Sequence, residues 1–413
     1  MAALGPFEAA PRLAAGVSGG PDSMALALLA DAWTRAAGGT VLALIVDHGL
    51  RGESAAEAAT AAARLARRGI AARVLTIGGL RPGPALAERA RSARLRALTE
   101  ACAAEGILHL LLGHHRLDQA ETVLIRALGG SGPAGLAGIA ALTEWASVRV
   151  LRPLLGFPPS ALRAMLIDAG AEWISDPSNR DRSALRPRLR LARHDHGGCG
   201  AATVALAAAS AASAQARAEA VHAAAECLAE RASIHPEGYC VLSRRDQPIR
   251  ADALAALLQM IAGAPYPPPT ASVAALAAAP GPATLAGVRM LPAGCLGPGL
   301  LLVRESAAMA PAVAAVPGAV WDRRFRLRPD ARVPEGATLG GLGDESARLR
   351  RLSPLPAAVL RTLPALRTGG ALLAVPHLLY PDRQSCACIP LVFSPPIPAA
   401  ATAFLGCSVF GDA

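Results

Sequence analysis

The sequence predicts an α/β protein: a Rossmann-like parallel-sheet N-terminal domain, followed by a mainly helical domain and a small α+β C-terminal domain. Three observations carry that prediction. Residues 13 to about 175 alternate short apolar runs with longer helical patterns, and strands separated by helices pair in parallel. A Gly-rich string, residues 18–23, sits between the first apolar run and the first helical pattern. The alternation then stops around His194-Asp195-His196-Gly197-Gly198.

Taken in order, the predicted strands are Leu13–Val17, Val41–Val46, Arg73–Ile77, Ile107–Leu112 and Val148–Leu151. Each is a short apolar run of the length that strands favour. Helical patterns fall at Ser23–Trp33, Ser54–Arg68, Ala85–Ala104 and Asp118–Leu128. Sheets of this kind bind ligands at the carboxyl ends of their strands. Residues 201–232 are Ala-rich and helical in composition, and Gly/Pro-rich stretches at 262–269 and 280–282 interrupt further helix-like segments. From Trp321 the texture changes to short runs, WDRRFRLR, ALLAVPHLLY and IPLVF, which read as strands, with Gly369-Gly370 as a turn. The expected domains are therefore 1–195, 199–310 and 311–413.

The bulk composition agrees with two or three domains at roughly 150 residues each, since the chain has 413 residues. Hydrophobic residues make up 53%, much of it alanine, and aromatics only 3%. A formal net charge of +10 favours a polyanionic partner such as RNA. All 41 basic residues are arginine, which excludes a Walker lysine and a lysine Schiff base. Of eight cysteines only Cys386 and Cys388 are close, as CxC, so no zinc finger or disulfide framework is expected. No signal-peptide pattern opens the chain, and no apolar run of about 18 residues avoids Gly, Pro and charge. These features point to a reduced, cytoplasmic protein with no membrane partner. A homodimer is compatible with the sequence, which does not require one.

The chemistry begins at Gly16-Val17-Ser18-Gly19-Gly20-Pro21-Asp22-Ser23. A strand, a Gly-rich turn and a helix N-terminus suit phosphate: the backbone can approach closely and free N–H groups point at the anion. Ser18 and Ser23 add hydroxyl donors. Asp22 would repel phosphate directly, so its natural role is to hold Mg²⁺. A plain strand-to-helix turn with an acidic or hydroxyl cap is the alternative, and the complete string favours phosphate.

The string SGGPDS resembles the pyrophosphate loop of the ATP pyrophosphatase superfamily, whose members cleave ATP to AMP and pyrophosphate. Four later strings narrow that resemblance: Val46-Asp47-His48-Gly49-Leu50-Arg51, then Ala90-Arg91-Ser92-Ala93-Arg94-Leu95-Arg96, then Leu112-Gly113-His114-His115 continuing through Asp118-Gln119-Ala120-Glu121-Thr122, and Asp176-Pro177-Ser178-Asn179-Arg180-Asp181. In this order they resemble the tRNA(Ile)-lysidine synthase family over about residues 12–190, with a weaker likeness at 363–378. Four positions, in three places, depart from the family pattern. Arg116-Leu117 stand where it has Ala-Asp, Leu95 replaces a tyrosine, and Pro187 replaces an asparagine.

The resemblance implies ATP and Mg²⁺ as cofactors, with tRNA(Ile) bearing a CAU anticodon and free L-lysine as partners. It implies ATP binding by Ser18, Gly19, Gly20, Pro21, Asp22, Ser23 and His48, with Mg²⁺ on Asp22. It also implies catalytic work by Asp22, Arg94, His114, Asp118 and Glu121. The residues themselves leave alternatives open. Asp118 and Glu121 share a helix face, where they are either dipole complements or ligands for Mg²⁺ or an ammonium group. His48 and His114 fit structural positions as well as a site. Arg91 and Arg94 fit a solvated stripe; by resemblance, Arg94 neutralises an adenylate or an RNA phosphate. The rival readings are a tRNA thiolase of the same superfamily, which would want reactive cysteines, and a non-catalytic RNA-binding protein.

Overall fold

The computed structural model describes residues 1–400 except 50–51, 81–82, 84, 146, 175–185, 187, 190–191, 193 and 244–246. The chain divides into two compact units, Met1–Glu219 and Ala220–Ala401. Among the described residues no helix is long and apolar enough to cross a membrane.

The first unit is built on one six-stranded sheet. Its strands are β1 (Arg12–Val17), β2 (Thr40–Asp47), β3 (Ala71–Thr76), β4 (His109–Leu112), β5 (Leu142–Glu144) and β6 (Arg149–Leu151). They lie in the order β3-β2-β1-β4-β6-β5. All neighbours are parallel except β5 with β6. The chain builds outward from β1 through β2 to the edge strand β3. It then crosses back to place β4 on the other side of β1. That reversal opens a crevice above the carboxyl ends of β1 and β4, where α/β sheets bind ligands.

The helices are α1 (Pro21–Ala36), α2 (Ser54–Ala66), α3 (Leu86–Ala104), α4 (Arg116–Leu128), α5 (Pro133–Leu136) and α6 (Pro159–Asp168). Strand side chains alternate between faces, and β1 shows why both sides are covered. Leu13, Ala15 and Val17 pack with Met24 and Leu26 of α1, Ala61 and Leu65 of α2, and Leu162 and Leu166 of α6. Ala14 points the other way, with Leu44, onto Leu98, Ala101 and Cys102 of α3. Every strand and helix predicted before residue 175 is present within a few residues of its expected bounds. β5, α5 and α6 were not anticipated; β5 is three residues with only Leu142 buried, too short for periodicity to register.

A 31-residue helix, α7 (Ala201–Arg231), comes next, and the boundary between the two units falls within it. Asp195 holds its start, accepting from Cys199 N–H, Gly200 N–H and the Thr203 hydroxyl. Ser210 ties it to the sheet domain. Gln119 of α4 donates to Ser210 Oγ at 3.0 Å and accepts from Ile139 N–H at 2.6 Å, while Ser210 donates to the Ala137 carbonyl at 3.0 Å.

The second unit departs from expectation. The stretch 199–310, read as mainly helical, also carries a five-stranded antiparallel sheet: β7 (Ala232–His235), β8 (Tyr239–Leu242), β9 (Ala283–Leu285), β10 (Val288–Pro292) and β11 (Leu300–Arg304), ordered β7-β8-β11-β10-β9. Helices α8 (Ala251–Ala262) and α9 (Thr270–Ala278) pack on it. The alanine-rich composition hid these short strands. The division placed at residue 310 also crosses a shared core, because Tyr239, Leu301 and Val303 pack with Leu342, Val359 and Leu363. Beyond it lie two small sheets. One joins β12 (Val313–Ala314), β15 (Thr338–Gly341), β16 (Pro364–Thr368) and β17 (Ala371–Ala374); the other joins β13 (Val320–Trp321), β14 (Phe325–Leu327) and β18 (Leu391–Phe393). Gly369 and Gly370 form the β16–β17 turn, with φ of 57° and 83°. WDRRFRLR is a hairpin and not one strand, turning through Asp322, Arg323 and Arg324 between β13 and β14.

Candidate active site

The loop after β1 is shaped by its glycines and serines. Gly19 has φ of 81°, and a Cβ there would lie 2.8 Å from Ile174 Cδ1, so no other residue fits without strain. Ile174 N–H donates to the Gly19 carbonyl at 2.8 Å, holding the 171–174 stretch against the loop. Ser18 N–H donates to Ser23 Oγ at 3.1 Å, and Ser23 Oγ donates to the Gly20 carbonyl at 3.0 Å. Pro21 opens α1, a position that needs no N–H. The next N–H groups of this first turn lack intrahelical acceptors. The result is a cradle with a helix dipole aimed into it, suited to phosphate oxygens.

The loop after β4 closes on this cradle. A Cβ on Gly113 would lie 3.2 Å from the Asp22 carbonyl oxygen and 3.4 Å from Ser23 Cα, so glycine lets the two strand ends approach. His115 then caps α4. Its N–H donates to Asp118 Oδ2 at 3.1 Å, and its Nδ1 accepts from Asp118 N–H at 3.4 Å. With Nδ1 as acceptor, the ring proton lies on Nε2, which faces Asp22 Oδ2 at 3.5 Å. His115 is buried and bridges the phosphate loop to the acidic helix. The sequence points to His114; its neighbour in the visible HH pair, His115, joins it in the site through the cap that strand-end geometry sets up.

Asp22 Oδ1 is buried and meets no hydrogen-bond donor among the described residues. A carboxylate oxygen can only accept, so this atom fits a cation or a donor brought by a ligand. Among the described residues no three His, Cys, Asp or Glu side chains gather as a metal cage. A Mg²⁺ held by one carboxylate together with phosphate oxygens and water is that ion's usual habit, and the site fits it in this form.

His114 lies beside a group of cations. Burial first, and then Arg152, Arg91 and Arg94, push its pKa down to about 3, against the opposing pull of Asp118. The ring is therefore neutral at neutral pH. Its Nδ1 is buried without a partner among the described residues. Arg152 is itself lowered to about 10, by burial and then by Arg91; it donates to the Ala140 carbonyl at 2.8 Å and Thr143 Oγ1 at 3.0 Å. Arg94 is lowered by desolvation and by Arg91, although much of its side chain is exposed on α3. Three guanidiniums within electrostatic reach of one neutral imidazole give this place a positive potential that favours an anion.

On α4, Asp118 and Glu121 are one turn apart, and Glu121 is fully buried. Arg186 reaches both: its Nη1 is 3.8 Å from Asp118 Oδ1 and 3.7 Å from Glu121 Oε2, and its Nη2 donates to Thr122 Oγ1 at 3.1 Å. Arg186 does not stand out in the sequence, though the Arg-rich stretch around it does. His48 is half-buried at the end of β2, one strand from the loop. Its neighbour Asp47 accepts from Ser54 Oγ at 2.5 Å and Gly49 N–H at 3.0 Å, bonds that hold its carboxyl below the usual range and tie β2 to α2.

Thus Ser18–Ser23, Arg94, His114, Asp118 and Glu121 gather at the carboxyl ends of the central strands β1 and β4, with His48 at the end of the neighbouring strand β2. The 176–181 string, Leu50, Arg51 and Pro187 lie outside the described residues. Of the departures, Arg116 Nε donates to the Gly156 carbonyl at 2.9 Å, Leu117 is buried, and Leu95 packs against the α3 core. All three side chains have structural partners.

A family model described as a PP-loop domain matches residues 2–194. The tRNA(Ile)-lysidine synthase of Bradyrhizobium sp. (strain BTAi1) is 46% identical over 187 residues, which is 45% of this chain and 52% of that protein. The chain thus spans about half the length of this relative and of others most similar to it. The tRNA(Ile)-lysidine synthase of Mesorhizobium japonicum is 37% identical over 388 residues, covering 88% of this chain and 81% of that one. Among solved structures, the U34-tRNA thiolase NcsA from Methanococcus maripaludis, with its 4Fe-4S cluster, aligns with a TM-score of 0.40. It is 19% identical and covers 50% of this chain and 73% of that one, a likeness too slight to argue from.

Proposed function

Because this chain belongs to the tRNA(Ile)-lysidine synthase family, we propose that it joins free L-lysine to C2 of the wobble cytidine in the CAU anticodon of tRNA(Ile). ATP is consumed to AMP and pyrophosphate, and the product, lysidine, changes decoding from AUG to AUA. The observation that carries the reading is the bridge made by His115, which sets Asp22 of the phosphate loop and Asp118 of α4 on either side of one ring.

In this reading the Ser18–Ser23 loop takes the pyrophosphate portion of ATP. The cytosine C2 oxygen attacks the α-phosphorus and pyrophosphate leaves. The lysine ε-amine then attacks C2, AMP departs, and the amine gives up a proton. Asp22 would hold Mg²⁺, which supplies charge neutralisation on the phosphates when bound. The Arg91, Arg94 and Arg152 group faces the negative charge of the adenylate or of an RNA phosphate. His114, being neutral, serves as a hydrogen-bond partner and not as a cation. Asp118 holds the ammonium and accepts its proton, with the buried Glu121 and Arg186 keeping it in place. Because a wobble base must leave its stack, and aromatics are scarce, arginine carries much of the RNA grip. Cys102, on α3, is a poor sulfur carrier, because it is buried and its thiol is pushed up to about 11.

The test is incubation with ATP, Mg²⁺, radiolabelled lysine and CAU-anticodon tRNA(Ile), followed by nucleoside analysis. Label from lysine is expected in tRNA only when ATP is present. Transfer of label from cysteine sulfur, with none from lysine, would replace the reading with a thiolase.

A further inference from the structure

The β13–β14 hairpin turns through Asp322 and Arg323, which both lie in the left-handed region with φ of 50° and 56°. Arg324 N–H closes the turn on the Trp321 carbonyl at 3.1 Å. The loop spans Asp322–Arg324 between the paired Trp321 and Phe325, and its two left-handed positions are ones that favour glycine. Asp322 has a structural reason to be there. Its buried carboxylate accepts from Arg324 Nε at 2.8 Å, Arg304 Nε at 3.1 Å and Ala310 N–H at 2.9 Å, and aspartate tolerates this conformation. Arg323 has none. Its side chain is exposed, and its guanidinium takes no acceptor among the described residues. A long side chain kept where the backbone favours glycine, without a contact to hold, points to function.

Its surroundings give that function a chemistry. Gly263 ends α8 in a left-handed cap at φ of 64°, and a Cβ there would lie 2.8 Å from the Asp322 carbonyl oxygen and 3.3 Å from Arg323 Cβ. The chain leaving this contact reads Ala264-Pro265-Tyr266-Pro267-Pro268-Pro269. Tyr266, three residues on, is 80% exposed, the most exposed large hydrophobic side chain among the described residues. The flanking prolines fix the backbone, so presenting the ring loses little freedom on binding. An aromatic ring presented on a proline-stiffened chain three residues from the Gly263–Arg323 contact, together with an exposed guanidinium, suits an unpaired nucleotide, whose base stacks and whose phosphate pairs.

We propose that Tyr266 and Arg323 form a contact for an unpaired nucleotide of RNA, with the base stacked on Tyr266 and the adjoining phosphate on Arg323. The proposal rests on the tRNA reading above and adds a site on the second unit to it. The experiment measures affinity of the full chain for CAU-anticodon tRNA(Ile) against salt, together with Tm. Tyr266→Ala should weaken binding by about tenfold with the salt slope unchanged, and Tyr266→Trp should restore it. Arg323→Gly should weaken binding and lower the slope by about one, while Tm holds or rises because glycine relieves the turn. A purely structural Arg323 would give the opposite pattern, a lower Tm at the parental slope, and would overturn its assignment. Both variants binding within about twofold of a parent that forms lysidine would overturn the site and leave the function standing. A parent that neither binds tRNA nor forms lysidine would overturn both.

Discussion

Single atoms decide most of the chemistry at the carboxyl ends of the strands. Asp22 Oδ1 is buried without a donor among the described residues, so Asp22→Asn should abolish pyrophosphate release from ATP and tRNA while leaving tRNA affinity within about twofold. A variant with parental turnover would remove the metal role, and an equal loss of tRNA affinity would show a misfolded loop instead. His114 gives a second prediction, in stability. Its folded pKa is about 3 against an ordinary 6.5, so between those values the unfolded chain binds more protons. Stability should therefore be fully present above pH 6.5 and fall as pH drops toward 3. The groups facing it are Asp118, Arg91, Arg94 and Arg152. Tm measured from pH 7 to 5, before carboxylates titrate, should slope less for His114→Gln than for the parent; parallel curves would contradict the burial of this ring. At this scale the sequence was legible where chemistry restricts residue type. SGGPDS and the acidic helix announced themselves. His115 and Arg186 did not, because a cap and a long-range guanidinium contact depend on how two distant loops meet.

Helix α4 works only if it is held, and a second element holds it. Gln119 stands between the two carboxylates in sequence but turns into the core toward Ser210 and Ile139. Gly138 makes room: at φ of 71° its Cβ would lie 2.7 Å from both Gln119 terminal atoms and from Ser210 Oγ. Gly138→Ala should cost about 2–3 kcal/mol in urea denaturation and lower kcat by displacing the α4 carboxylates. Gly130 provides the contrast, with φ of 69° and nothing within 4 Å. Gly130→Ala should cost only about 1–2 kcal/mol and spare kcat, and equal losses at the two positions would refute the lock. The parallel strands and their helices were legible because burial on both faces leaves long apolar runs, as in β2. The strands of the second unit were not, since several have two to four residues and their pairing is fixed by partners far along the chain.

For the whole molecule, charge is the dominant property, and its distribution is testable without cutting the shared core around residue 310. Arg348, Arg350 and Arg351 are all exposed on one short segment. Replacing the three with glutamine should flatten the dependence of tRNA affinity on salt by about 2–3 in slope and leave ATP affinity unchanged. Superimposable slopes would mean this segment is merely solvated. Arg324, in the same Arg-rich part of the sequence, is no candidate, because it is fully buried on Asp322. The six-stranded sheet carries a further consequence, for solubility. Among the described residues β3 has a strand on one side only, and most of its side chains are exposed. Its free rim could template a foreign strand. Arg73, paired with Glu105 at 2.8 Å, places a charge in the middle of that rim and guards it against polymerisation. Arg73→Val should make concentrated solutions scatter light as chains join rim to rim, at unchanged Tm.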